Sequence, residues 1–407
     1  MKNISVIGLG YIGLPTAALL ASKGFRVFGT DVNEVAVSLI NNGQIHIVEP
    51  ELDSYVQSAV SNGALSAHLT PQLADIYMIC VPTPFVDGGS DIPQPDLSYV
   101  MSAVEGISGL IKQNDIIILE STSPVGTTEE VANLLSSRGV DTSQISIAYC
   151  PERVLPGQVM RELVKNNRIV GGMTETCSSR VKEFYSTFVE GSVVCTNSRT
   201  AEMCKLAENS FRDVNIAFAN ELSVISDQNG VDVWELINLT NLHPRVNILQ
   251  PGTGVGGHCI AVDPWFLAAS SPSDSQLIKA ARYVNLSKPK WVVDKICEAA
   301  SQLEKTDKYA KKVACLGLAF KPDIDDCRES PALEVVLSLK ELGFDVTAVE
   351  PNVDALEPLD LVSLEDAIEQ ADVIAVLVKH KEFITSRNVD RLNKSELTVL
   401  DFCGALS

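Results

Sequence analysis

Cys259 closes the run Gly252-Thr253-Gly254-Val255-Gly256-Gly257-His258-Cys259, in which four glycines within six residues lead to one thiol. Glycine permits close backbone approach and positive φ, so a cysteine in this setting reads as reachable by a substrate, the first requirement of a covalent nucleophile. Taken alone, a small buried residue after a tight turn explains the loop better, because free cysteine is among the most buried residue types. The rest of the chain must therefore supply a reaction that needs a thiolate. Asp263, four residues on and followed by Pro264, can accept a proton or close a turn. Lys205, Asn209 and Arg212 fall at i, i+4 and i+7, one face of a helix. Phe211, Val214, Ile216, Phe218 and Leu222 around them predict a largely buried helix, and a lysine withdrawn from water suits acid–base work.

Gly8-Leu9-Gly10-Tyr11-Ile12-Gly13 follows a strand-like run and opens a helix, the context in which such glycines admit a pyrophosphate at a helix N-terminus. Asp31 ends the second strand-like run, where an acid meets the adenosine ribose hydroxyls; no arginine follows it, which favours NAD over NADP. Thr83 in Cys80-Val81-Pro82-Thr83-Pro84 and Thr122 in Glu120-Ser121-Thr122-Ser123-Pro124 end two further strands and can donate to ribose or nicotinamide, or simply close turns. Cys150-Pro151-Glu152-Arg153-Val154-Leu155-Pro156-Gly157 sets a carboxylate beside a guanidinium in a proline-framed loop. His243-Pro244-Arg245 precedes the cysteine loop and can reach a phosphate or sugar, or cap a helix. Arg328 sits in so acidic a segment that a local ion pair is the simpler account.

The elements that must position these residues alternate. Short β-branched runs at 4–7, 26–28, 76–81, 115–119, 145–148 and 168–170 alternate with helical stretches and predict a parallel sheet with crossover helices. A helix without Gly or Pro is expected over 198–229, and helical signal covers 274–303 with an interruption at Pro289. After the charged stretch 304–312, strands at 313–316, 345–349, 373–378 and 398–400 announce a second, smaller α/β unit. The expected domains are therefore 1–197, a Rossmann-type dinucleotide domain; 198–305, helical and suited to a subunit interface; and 306–407, Rossmann-like.

The 407 residues exceed one core, and the 45% hydrophobic and 21% charged composition is that of an ordinary globular chain. A net charge of −20 argues against nucleic-acid or anionic-membrane partners, which need a basic surface. The ten cysteines show no Cys-x-x-Cys spacing, so neither a metal site nor a disulfide framework is expected. No signal segment or membrane-length apolar run is read, making the cytoplasm the expected compartment, where a thiol stays reduced.

Together these motifs, from Gly8 through Asp401, resemble the UDP-glucose/GDP-mannose dehydrogenase family. The resemblance implies an NAD domain, a helical homodimerisation domain and a nucleotide-sugar domain, with Cys259 as catalytic nucleophile, Lys205 as catalytic lysine, and Asn209 and Asp263 in support. It implies NAD contacts for Gly10, Tyr11, Ile12, Asp31, Thr83, Thr122 and Arg328. It implies substrate contacts for Arg153, Val154, Lys205, Asn209, Arg212, His243, Arg245, Gly256 and Lys321, some of them across a dimer. UDP-glucose enzymes of the family usually carry Lys before the aspartate, where this chain has Val262. With Pro151–Gly157, Asn241–Leu249 and Gly257–Phe266, that departure is similar to the branch acting on UDP-N-acetylhexosamines such as UDP-N-acetyl-D-mannosamine. The implied product is a uronate for surface-polysaccharide precursors of the enterobacterial common antigen kind.

Overall fold

The structure is a computed structural model that describes residues 2–86, 91–303, 311–393 and 397–406. The chain divides into two compact units, Met1–Glu208 and Asn209–Ser407.

The first unit carries β1 (Asn3–Ile7), β2 (Arg26–Thr30), β3 (Leu65–His68), β4 (Ile76–Ile79), β5 (Ile116–Leu119), β6 (Ser146–Tyr149), β7 (Arg168–Gly172) and β8 (Val193–Asn197) in one sheet, ordered β3-β2-β1-β4-β5-β6-β7-β8. All neighbours are parallel except β6 and β7. Every residue of β4, β5 and β6 is buried, as expected for strands covered on both faces. The six expected strands are present. Two more, β3 and β8, were not legible: β3 (Leu65-Ser66-Ala67-His68) has no β-branched residue and sets polar side chains at its two half-buried positions, and β8 is exposed or half-buried beyond Val193. The antiparallel β7 corrects the wholly parallel expectation, and through it the connection 150–167 stays beside the carboxyl edge of the sheet.

The second unit carries β9 (Lys312–Leu316), β10 (Asp345–Val349), β11 (Val373–Val376) and β12 (Thr398–Asp401), all parallel in the order β10-β9-β11-β12. The charged stretch expected at 304–312 lies, through residue 310, outside the described residues. Helix Gln276–Gln302 runs through Pro289 without the expected interruption. Proline removes one N–H from the helical ladder, and the Asn285 carbonyl that would have received it lies against Gly254, where an added Cβ would come within 3.2 Å.

Helix Ser198–Asn229 spans the expected 32 residues. It is not largely buried: Phe211, Phe218 and Ile225, spaced by seven, are 69%, 52% and 47% exposed. The sequence shows that this stripe is apolar; it does not show what covers it. Among the described residues, no helix is long and apolar enough to cross a membrane.

Candidate active site

In the first unit, backbone packing explains two glycines of the fingerprint and leaves the third open. Gly8 has φ +89°, and a Cβ there would lie 2.7 Å from the Cys80 carbonyl oxygen; one on Gly13 would lie 1.7 Å from the Gly8 oxygen. A Cβ on Gly10 would meet nothing beyond its chain neighbours within 4 Å, so this side of the turn is open to a pyrophosphate. Helix Gly13–Ser22 has no side-chain cap at Ile12; Leu14 N and Thr16 N turn back to the Gly10 and Ile12 carbonyls and Pro15 carries no N–H, so what this terminus offers an anion is the positive end of the helix dipole. Asp31 follows β2, accepting from Leu9 N and Asn33 N at 2.9 Å each. The half-exposed Tyr11 shares this edge with Thr83 and Thr122, which follow β4 and β5 and are half-buried. Gly10, Tyr11, Ile12, Asp31, Thr83 and Thr122 thus meet at the carboxyl edge around the β1–β4 switch point, an arrangement that fits NAD.

Beside them, the 150–157 loop is held from below. Glu49 accepts from Gly157 N at 2.8 Å and Val159 N at 2.7 Å. Glu152 is buried, with one carboxylate oxygen 2.5 Å from Arg168 Nη1 and the other 2.6 Å from Arg153 N. Its carbonyl accepts from Lys205 Nζ at 2.9 Å, so the half-buried lysine is aimed by a buried ion pair. Arg153 reaches Glu208 at 2.8 Å, and Val154 packs against the core. Behind the loop, Glu120 accepts from Tyr185 Oη at 2.5 Å and from Cys80 Sγ at 3.3 Å. Burial raises the Glu120 carboxyl and pushes the Cys150 thiol up to about 12, so that thiol is held protonated and away from nucleophilic chemistry.

In the second unit Cys259 is exposed. Its carbonyl accepts from Asp263 N at 2.8 Å, where helix Asp263–Ser270 begins. Asp263 is 1% exposed, and its Oδ2 accepts from Asn209 Nδ2 at 2.6 Å, so these three residues form one local constellation. The glycines before Cys259 are fixed by neighbours: a Cβ on Gly256 would meet the Glu329 carbonyl oxygen at 2.3 Å, and one on Gly257, φ +81°, the Phe320 ring at 2.6 Å.

A cleft of about 500 Å³ is lined by Trp234, the 250–254 segment, Phe320, Pro322 and Lys379, with Lys321 half-buried next to Phe320. Arg212, His243 and Arg245 are exposed, Arg245 N donating to His243 Nδ1 at 3.3 Å. Arg328 grips Asp326 through Nε at 2.9 Å and Nη2 at 2.6 Å, a local ion pair.

Sequence reasoning missed the supports. Arg282, Asp213, Asn285 and Asn220 form a buried chain ending on Gly252 N, at 2.6, 2.8, 2.9 and 2.9 Å in turn. Polar residues at helical spacing on otherwise buried faces were the available signal.

Comparison with known proteins agrees across the whole chain. Models of the UDP-glucose/GDP-mannose dehydrogenase family match through its NAD-binding domain at 2–189, central domain at 199–287 and UDP-binding domain at 314–407. The chain is 56% identical over 400 residues to the UDP-N-acetyl-D-mannosamine dehydrogenase of Yersinia pestis, covering 94% of each. It is 50% identical to the NDP-N-acetyl-D-galactosaminuronic acid dehydrogenase of Ralstonia nicotianae, covering 100% of this chain and 96% of that one. A solved UDP-D-ManNAc dehydrogenase from Pyrococcus horikoshii superposes with TM-score 0.90 at 39% identity, covering 100% of this chain and 96% of that one. A nucleotide fingerprint with its ribose acid, a glycine-held thiol beside a buried Asn–Asp pair, and matches to all three domains leave one conclusion: this chain belongs to the UDP-glucose/GDP-mannose dehydrogenase family.

Proposed function

We propose that the protein oxidises UDP-N-acetyl-D-mannosamine at C6 to the uronate through a covalent adduct on Cys259. The carrying observation is the exposed Cys259 thiol at the start of a turn whose Asp263 is buried and held by Asn209. Converting a primary alcohol to an acid removes four electrons, so two hydrides leave one carbon; NAD accepts each in turn. Lys205, or Asp263 through water, takes the hydroxyl proton in the first step. The Cys259 sulfur then adds to the C6 aldehyde, retaining it as a thiohemiacetal. Loss of the second hydride gives the thioester, and water deprotonated by Asp263 or Glu152 releases the acid and restores the thiol. Lys205 and Asn209 stabilise the oxygen anions. Cys259 can act only as a thiolate, which favours the reduced cytoplasm.

The choice of sugar rests on the similarity to the Yersinia pestis and Pyrococcus horikoshii enzymes and on Val262 before Asp263. In this reading Arg153, Val154, Arg212, His243, Arg245, Gly256 and Lys321 contact the UDP-sugar, and Arg328 contacts NAD. The domains run 1–197, 198–305 and 306–407. The stripe Phe211, Phe218, Ile225 is covered by a second copy of the chain. The product serves surface-polysaccharide synthesis.

NADH formation with UDP-N-acetyl-D-mannosamine, UDP-N-acetyl-D-glucosamine and UDP-glucose tests the choice of substrate. The highest kcat/KM is expected for the mannosamine nucleotide; a higher value for either other sugar overturns it.

A further inference from the structure

Glu350 follows β10 in the second unit as Asp31 follows β2 in the first. The two carboxylates are used differently. Asp31 takes one amide of the glycine turn, Leu9 N, and stays half-buried. Glu350, one methylene longer and 4% exposed, accepts from both Leu318 N at 2.7 Å and Ala319 N at 2.9 Å, and the same oxygen lies 3.0 Å from Nε2 of the fully buried His380. Its other oxygen accepts from Asn352 N at 3.0 Å. The second unit has thus turned its ribose-type acid inward, onto its own turn.

The histidine carries the same grip to the far end of the loop. Asp323 N–H lies 2.9 Å from His380 Nδ1. A backbone N–H can only donate, so Nδ1 must accept and the ring proton resides on Nε2, pointing at Glu350. Asn352 Nδ2 lies 3.0 Å from the same Nδ1. Asp323 has φ +59°, in the left-handed region that aspartate tolerates better than most side chains. The neighbouring Lys381 holds its carboxylate: the Lys381 N–H donates to Asp323 Oδ1 at 2.8 Å and its Nζ lies 3.2 Å from Oδ2. Between the two anchors the loop presents Phe320 and Pro322 to the cleft, with Lys321 between them, opposite Val378 and Lys379.

We propose that the buried Glu350–His380 pair is a positioning device that clamps the 318–323 loop at both ends and so fixes the cleft wall receiving the substrate's nucleotide diphosphate. This rests on the proposed assignment of Lys321 to substrate. His380 touches no substrate; it acts through the loop.

The test uses the full-length enzyme and steady-state NADH formation. His380→Ala is expected to raise KM for UDP-N-acetyl-D-mannosamine by about tenfold, the scale of one lost buried hydrogen bond, with KM for NAD unchanged. His380→Asn keeps an acceptor at the Nδ1 position and is expected to recover most of the loss. His380→Gln keeps only the donor to Glu350 and is expected not to. A His380→Ala enzyme whose sugar KM stays within about twofold of wild type overturns the proposal.

Lys321→Ala separates the two layers. If it leaves the sugar KM unchanged, the substrate assignment of the loop fails. If it raises KM while His380→Ala does not, the clamp alone fails. Should His380→Ala not fold, nitrogen NMR of the wild-type imidazole decides: a proton on Nε2 supports the clamp, and one on Nδ1 overturns it.

Discussion

Gly256→Ala is the sharpest mechanical test of how the thiol is delivered. The added methyl would sit 2.3 Å from the Glu329 carbonyl oxygen, 2.6 Å from Pro331 Cδ and 3.2 Å from Phe320 Cβ. Two of these neighbours are backbone or ring atoms that cannot swing aside, so either the cysteine loop or the 329–331 segment must shift. Overpacking of this kind costs about 1–3 kcal/mol. For a unit near 200 residues each kcal/mol lowers Tm by about 2–4 °C, giving a fall of about 2–12 °C. Because Cys259 is three residues away, a shift of about 1 Å would lower kcat by roughly 100-fold. Gly252→Ala is the control, since nothing lies within 4 Å of its added methyl. Thermal unfolding by circular dichroism and NADH formation are read on both. A Gly256→Ala enzyme with the Tm and kcat of Gly252→Ala would refute the claim that packing forces glycine at this position.

Asn209→Ala takes one hydrogen bond from the buried Asp263 carboxylate, so it should lose about 1.5–3 kcal/mol of stability, the scale of a hydrogen bond to a charged group, and lower kcat more than it raises KM; urea unfolding and steady-state kinetics check both. Lys288 is 3% exposed, with Nζ 3.6 Å from the Trp291 ring centre, and burial lowers its pKa to about 7. Between about 7 and the ordinary lysine value the unfolded chain binds a proton that the folded chain lacks, so stability rises with pH across that window. The urea midpoint of wild type should therefore trail that of Lys288→Met at about pH 7 and close on it by about pH 10; a constant gap contradicts this. If Phe211, Phe218 and Ile225 are covered by a second copy, Phe218→Glu should convert a dimer to monomer by light scattering at micromolar concentration.

Most strands, though not β3 and β8, and the dinucleotide edge after β1 were legible because apolar runs bounded by glycine and proline encode them directly. So was the helix Ser198–Asn229, through its length without a breaker. Its burial was not: the spacing of Phe211, Phe218 and Ile225 is the same whether the stripe meets this chain's core, solvent or another molecule. Pro289 misled for a related reason, since a helix loses one hydrogen bond there yet continues when surrounding packing holds it. Cys259, Asp263 and Asn209 could each be singled out by type and spacing. Their joining could not, because Asn209 and Asp263 are 54 residues apart and meet only in the fold. The supports of Lys205 were hidden more deeply, since its partner is a backbone carbonyl that any residue at 152 would provide. Glu350 was legible in principle: superposing the strand–turn–strand pattern of the second unit on that of the first places it on Asp31.

The central claim is that Cys259 carries the sugar between two oxidations. With limiting UDP-N-acetyl-D-mannosamine and excess NAD, wild type should release two NADH per sugar, whereas Cys259→Ser should bind NAD normally and fail to complete the second oxidation. A Cys259→Ser enzyme that still yields two NADH per sugar contradicts the account.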